Sequence, residues 1–145
     1  MSESASVMLE LPQEGPARLV TRMIDRRADG GKALACIPLS SPFRRPGAGG
    51  AVVPAVIAVE MAAQAAAALE QGPAESTAAH ERSGPGLVVG LKAVRFSVGE
   101  LAADREYEVE LVRDGYAPPL GIWSFRVRLA NLCVAEGELL TYVRS

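Results

Sequence analysis

Val52-Val53-Pro54-Ala55-Val56-Ile57-Ala58-Val59-Glu60-Met61-Ala62-Ala63-Gln64-Ala65-Ala66-Ala67-Ala68-Leu69 is the stretch that decides the fold. Pro54 suits the first turn of a helix, where a missing N–H costs nothing, and Gly72-Pro73 suits its end. The pattern therefore predicts one helix over residues 54–71, about five turns long. Between Pro54 and Leu69 only Glu60 and Gln64 are polar. A helix apolar nearly all round has to be surrounded by protein. Its alanines at 62, 63 and 65–68 would let a broad surface such as a curved sheet approach the backbone closely. The run approaches membrane-spanning length, but Pro54, Glu60, Gln64 and the predominance of Ala make a buried helix the better reading.

Strand patterns flank this helix on both sides. Upstream, Ala17 to Arg26 alternates roughly and runs into Ala28-Asp29-Gly30-Gly31, a turn signal, after which residues 32–39 read as a second strand antiparallel to the first. Residues 40–50, rich in Ser, Pro, Arg and Gly, read as a structured loop around Phe43. Downstream, residues 73–84 form a polar excursion that holds the chain's only histidine, His80, read as an exposed loop residue. Strand-like runs follow at 87–97, 106–113, 122–132 and 133–143, with a hairpin connection at 114–119. Two strands, one long helix and several more strands make an α+β fold, with a single helix wrapped by one curved antiparallel sheet. Such a sheet leaves an edge strand and one side of the helix uncovered, so at least a dimer is expected.

At 145 residues and 15.2 kDa the chain has the size of one domain, and the reading is a single domain over 1–145 with residues 1–10 flexible. With 49% hydrophobic residues, 22% charged residues and a formal charge of −2, the disordered and polyionic classes are excluded, and nothing favours nucleic acid as a partner. Met1-Ser2-Glu3-Ser4 is acidic and polar where a secretory signal needs basic and then apolar residues, so the cytoplasm is the expected compartment, with no membrane partner. Cys36 and Cys133 are too few and too far apart for a disulfide framework or a metal centre, and no metal is expected.

Glu60 and Gln64, four residues apart, share one face of the helix. In apolar surroundings a carboxylate is expected to respond to desolvation with a raised pKa, the usual route to a general acid or base working near neutrality. The alternative is a structural Glu held by an amide or an Arg. Spacing leaves both open.

Ser41-Pro42-Phe43-Arg44-Arg45-Pro46-Gly47 followed by Val52 to Ala65 resembles the hotdog-fold 3-hydroxyacyl-acyl carrier protein dehydratases of FabA/FabZ type. Leu11 to Pro16 with Leu19 to Asp25 resembles the family's opening strand, and Val89 to Phe96 its strand after the helix, so the likeness runs from about residue 11 to 143. The resemblance implies an acyl tunnel at a dimer interface, where a His of one subunit works with an acidic residue on the partner's helix. It puts Glu60 on the acidic position, Gln64 on the neighbouring amide, and Phe43, Ala55 and Val56 against substrate. It also puts Arg44 and Arg45 where an acidic carrier protein, bearing the substrate on phosphopantetheine, would dock; no other cofactor is implied.

Two departures qualify the match. Pro46 occupies the catalytic His position, with Gln13 at the alternative His position of some relatives, and Ala55 replaces the family's Gly. Dehydration needs both a base and an acid. The implied role is therefore a subunit of a heterodimeric dehydratase in fatty-acid or polyene/polyketide biosynthesis, active with a His-bearing partner. The rival readings are a hotdog acyl thioesterase, which would be a homodimer, and a non-catalytic acyl-binding or structural subunit.

Overall fold

The computed structural model describes residues 18–71, 87–117 and 119–142. The expected flexible residues 1–10, Gln13, and the 73–84 excursion with His80 lie outside the described residues. The described chain runs β1 (Val20–Arg27), β2 (Gly30–Cys36), β3 (Arg45–Gly47), β4 (Gly50–Pro54), α1 (Ile57–Gln71), β5 (Leu87–Phe96), β6 (Glu100–Ala102), β7 (Glu106–Ala117), β8 (Leu120–Leu129) and β9 (Leu132–Tyr142). Six strands form one sheet in the order β1-β2-β7-β8-β9-β5, every pair antiparallel, and β3-β4-β6 form a small second sheet.

The period of two in the strands puts one set of side chains against the helix. Ala33 and Ala35 from β2, Tyr107, Val109 and Leu111 from β7, Trp123, Phe125 and Val127 from β8, and Leu139 from β9 are buried with Ala58, Met61, Ala62, Ala65, Ala66 and Ala68 of α1. Small residues on both sides allow the close approach. At Gly31 a Cβ would lie 3.0 Å from Leu69 Cδ2 and 2.4 Å from the carbonyl oxygen of Asp25. One helix wrapped by a curved antiparallel sheet is the expected architecture, but the element boundaries differ from expectation in three places.

The helix starts at Ile57, three residues later than expected, because Pro54 is the last residue of β4. There it pairs with Glu100 of β6, and Ala55 extends the ladder by donating its N–H to Gly99 O at 3.0 Å. Within the expected 40–50 loop, β3 and β4 form a tight hairpin, and Pro46 sits on β3, an edge strand, where its lack of an N–H is tolerated. The 114–119 connection is shorter than expected: β7 and β8 run on to the pair Ala117–Leu120, past a bulge near Gly115 that absorbs the irregularity read as a turn.

The β8–β9 connection, which carries no strong turn signal, is the two-residue link Ala130-Asn131, with Ala130 at φ 54°. No helix among the described residues is long and apolar enough to cross a membrane. None of their His, Cys, Asp and Glu side chains form a group that could hold a metal ion.

β5 is bent by a bulge at Ala93, whose φ is 54°, and the bend seats on Gly137 of β9. A Cβ at Gly137 would lie 2.8 Å from both Cα and Cγ2 of Val94, whereas one at Gly99 would meet nothing within 4 Å. Gly137→Ala should therefore lower stability in urea by about 1–3 kcal/mol, and Gly99→Ala, measured beside it, should leave the midpoint almost unchanged.

Candidate active site

Glu60 lies in the first turn of α1, where the helix dipole favours an anion. It is half-buried, and its Oε2 accepts a hydrogen bond from Gln64 Nε2 at 3.2 Å. Gln64 is 1% exposed, and its Oε1 accepts two backbone bonds from the start of β1: Leu19 N–H at 2.8 Å and Val20 N–H at 3.1 Å. The Leu19 carbonyl in turn accepts Cys36 N–H of β2 at 2.9 Å. Both ends of the amide are therefore engaged: the oxygen anchors the sheet and the nitrogen aims the carboxylate. Gln64 acts on Glu60 as a positioning residue.

Around Glu60 the described residues cover the helix only in part. Val56, one turn earlier, is 59% exposed, and Val59 and Ala63 are only partly covered, so the stripe through Val56, Val59, Glu60 and Ala63 faces away from the protein's own sheet. Phe43, 61% exposed, and Leu39 stand in the loop before β3, where Ser41 Oγ accepts Phe43 N–H at 3.2 Å. The expected substrate contacts Phe43 and Val56 thus share exposure, while Ala55 is buried with its amide already donated to Gly99 O. The β4–β6 ladder thus takes the Ala55 N–H, so this residue, expected against substrate, has no amide free to donate to one.

Of the expected docking pair, Arg45 is ion-paired with Glu100, with Nε 3.1 Å from Oε2, and Arg44 donates Nη1–H to Ser41 O at 3.0 Å. The two side chains are tethered differently, and only Arg44 keeps its charge unmatched by that pairing. The concavities of about 360 and 600 Å³ lined by Arg95, Arg126 and Glu136 lie on the face of the sheet turned away from the helix, so they do not include Glu60. Burial pushes the Cys36 thiol up, and the carboxylates of Asp104 and Glu106 push the same way, which disfavours its thiolate.

A second polar cluster went unread in the sequence. At the far end of α1, Glu70 Oε2 accepts hydrogen bonds from Trp123 Nε1–H at 2.9 Å and Thr141 Oγ1–H at 2.6 Å. Nearby, Arg26 donates to the Ala68 carbonyl at 3.3 Å, satisfying one of the helix's terminal acceptors. Glu70 has no alternation or motif to mark it. Its one signal is a carboxylate placed against the unfavourable end of the helix dipole, which requires donors from elsewhere.

The ApeP-like family model, described as ApeP dehydratase, matches residues 6–145. The chain belongs to the ApeP-like dehydratase family. Among solved structures, this ApeP-like chain is similar to the dehydratase heterocomplex ApeI:P from Xenorhabdus doucetiae at 20% identity and a TM-score of 0.77, over 99% of this chain and 93% of that one. It is also similar to a mutant thioesterase from Pseudomonas aeruginosa (9% identity, TM-score 0.59, 85% and 80% covered). A thioesterase from Haemophilus influenzae matches at 12% identity and a TM-score of 0.56, with 83% and 76% covered. No curated protein matches in sequence. The fold is the hotdog fold, shared by dehydratases and thioesterases alike, and the family assignment rests on the sequence match.

Replacing Gln64 by Leu would strand the buried amides of Leu19 and Val20, at a cost of at least about 2 kcal/mol. Glu60→Gln keeps an acceptor for Gln64 Nε2 and should cost less than about 1 kcal/mol. Urea melts of the two variants side by side should show that order.

Proposed function

We propose that this chain is one subunit of a heterodimeric 3-hydroxyacyl-acyl carrier protein dehydratase of fatty-acid or polyene/polyketide assembly, contributing Glu60 to a composite site whose His comes from a second hotdog subunit. The observation that carries the reading is the state of Glu60: a half-buried carboxylate, aimed by a buried amide, on a helix stripe that the described residues cover only in part. The resemblance supplies the rest, with Pro46 at the position where a symmetric dimer would need its base. The similarity to a dehydratase heterocomplex supports a hotdog partner.

In this reading the partner's imidazole removes the proton alpha to the thioester. Negative charge gathers on the thioester oxygen, where the Val56 amide and the positive end of α1 stabilise it. The C–O bond at the beta carbon then breaks, and Glu60 delivers the proton with which the hydroxyl leaves as water. Phe43 and Val56 become part of the acyl channel once the partner covers them. Carrier docking falls chiefly to Arg44, since Glu100 already neutralises Arg45; the incoming group is an acidic carrier protein with its phosphopantetheine arm.

The chain alone should show no dehydration, and with its His-bearing partner it should show turnover that Glu60→Gln lowers by about 100-fold or more while the complex still assembles. Removing the partner's His should be equally severe. A homodimer that hydrolyses acyl thioesters would instead establish the thioesterase reading. A complex in which Glu60→Gln retains full activity would make this a supporting subunit.

A further inference from the structure

The two edges of the six-stranded sheet, β1 and β5, are finished differently. β1 carries Arg22, Asp25, Arg26 and Arg27, and Ile24 is its one exposed large apolar residue. Mixed charge of this kind discourages strand addition. β5 exposes Val88, Val89, Leu91 and Phe96, and Lys92 and Arg95 are its only charged residues.

Those two cations terminate an ordered pattern. The register aligns Asp25 with Lys32, Lys32 with Glu110, Glu110 with Arg126, Arg126 with Glu136, and Glu136 with Arg95. Charge alternates through all six strands and stops on a cation at the β5 edge. Glu136 lies 3.5 Å from Arg126 and 3.6 Å from Arg95, so one carboxylate serves two guanidiniums, and the Arg95 side chain is 78% exposed. The adjoining row, Val112, Ser124, Glu138 and Lys92, also stops on a cation.

A second copy of this chain adding its β5 to this edge would bring two lysines and two arginines to one seam, with no acid on either strand. A strand bearing carboxylates there would continue the alternation as a seventh member. We propose that the β5 edge selects its partner by charge: it accepts the edge strand of a different hotdog subunit whose carboxylates face Lys92 and Arg95, and it rejects a second copy of this chain. The apolar side chains drive the association, and the cations decide with whom. The inference rests on the heterodimer reading above and adds what recognises the partner.

The test needs only this chain. Wild type and K92E/R95E, carrying tags of different size, are studied singly and mixed by analytical ultracentrifugation. The mixed 1:1 dimer should form at least about 10-fold more tightly than either homodimer. That preference should shrink toward none near 1 M salt, where the screening length is only about 3 Å. K92Q/R95Q, which removes the charge without reversing it, should self-associate more tightly than wild type and without salt dependence, and it guards against a reversed variant that folds poorly.

Wild type that self-associates as tightly as the mixture, a mixture that does not associate, or a preference indifferent to salt would each overturn the proposal. Dehydration is not read in this experiment. A failure here therefore leaves the role of Glu60 standing, and a failure of Glu60→Gln to affect turnover leaves the charge selection standing.

Discussion

The side-chain amide of Gln64 is the contact on which the rest of the site depends. An amide buried to 1% exposure is tolerable only with its oxygen and nitrogen both satisfied, and here the partners are the first two amides of the sheet and the carboxylate one turn back along the helix. The same group that registers β1 against α1 therefore sets the direction of Glu60. Stability and the placement of Glu60 are coupled at one residue, so a change at Gln64 would disturb both.

Close packing explains why the site stands at an uncovered face. The sheet packs closely against the alanine-rich side of α1. The glycine at 31 and the alanines of β2 and α1 permit this close approach. In the proposed reading an acyl chain would lie along the opposite stripe, past Val56, Val59 and Ala63, and the proposed second subunit would supply the other wall.

The wrapped-helix architecture and the Glu60–Gln64 pair were legible in the sequence because both are periodic: strands alternate, and residues four apart share a helix face. Short pieces were not. β3, β4 and β6 are three to five residues long, too brief for a period to show, and Pro46 on β3 and Pro54 on β4 are read as loop and helix signals when the strands they pair with are absent from view. The same blindness hides the partner of the Ala55 amide, since its acceptor, Gly99, is distant in the chain. Glu70 was missed for a related reason: its donors, Trp123 and Thr141, lie on strands that only the fold brings to the helix end.

Trp123 is the chain's only tryptophan, and three elements converge on its ring. The indole N–H is held by Glu70 of α1, the Arg113 guanidinium of β7 lies 4.7 Å from the ring centroid, and Gly121 on its own strand leaves the space in which Thr141 of β9 meets the same carboxylate. Its intrinsic fluorescence is therefore a built-in gauge of whether the far end of the helix is seated on the sheet. Because the indole is 1% exposed and bonded to the last turn of α1, that emission reports the docking of helix to sheet within one subunit.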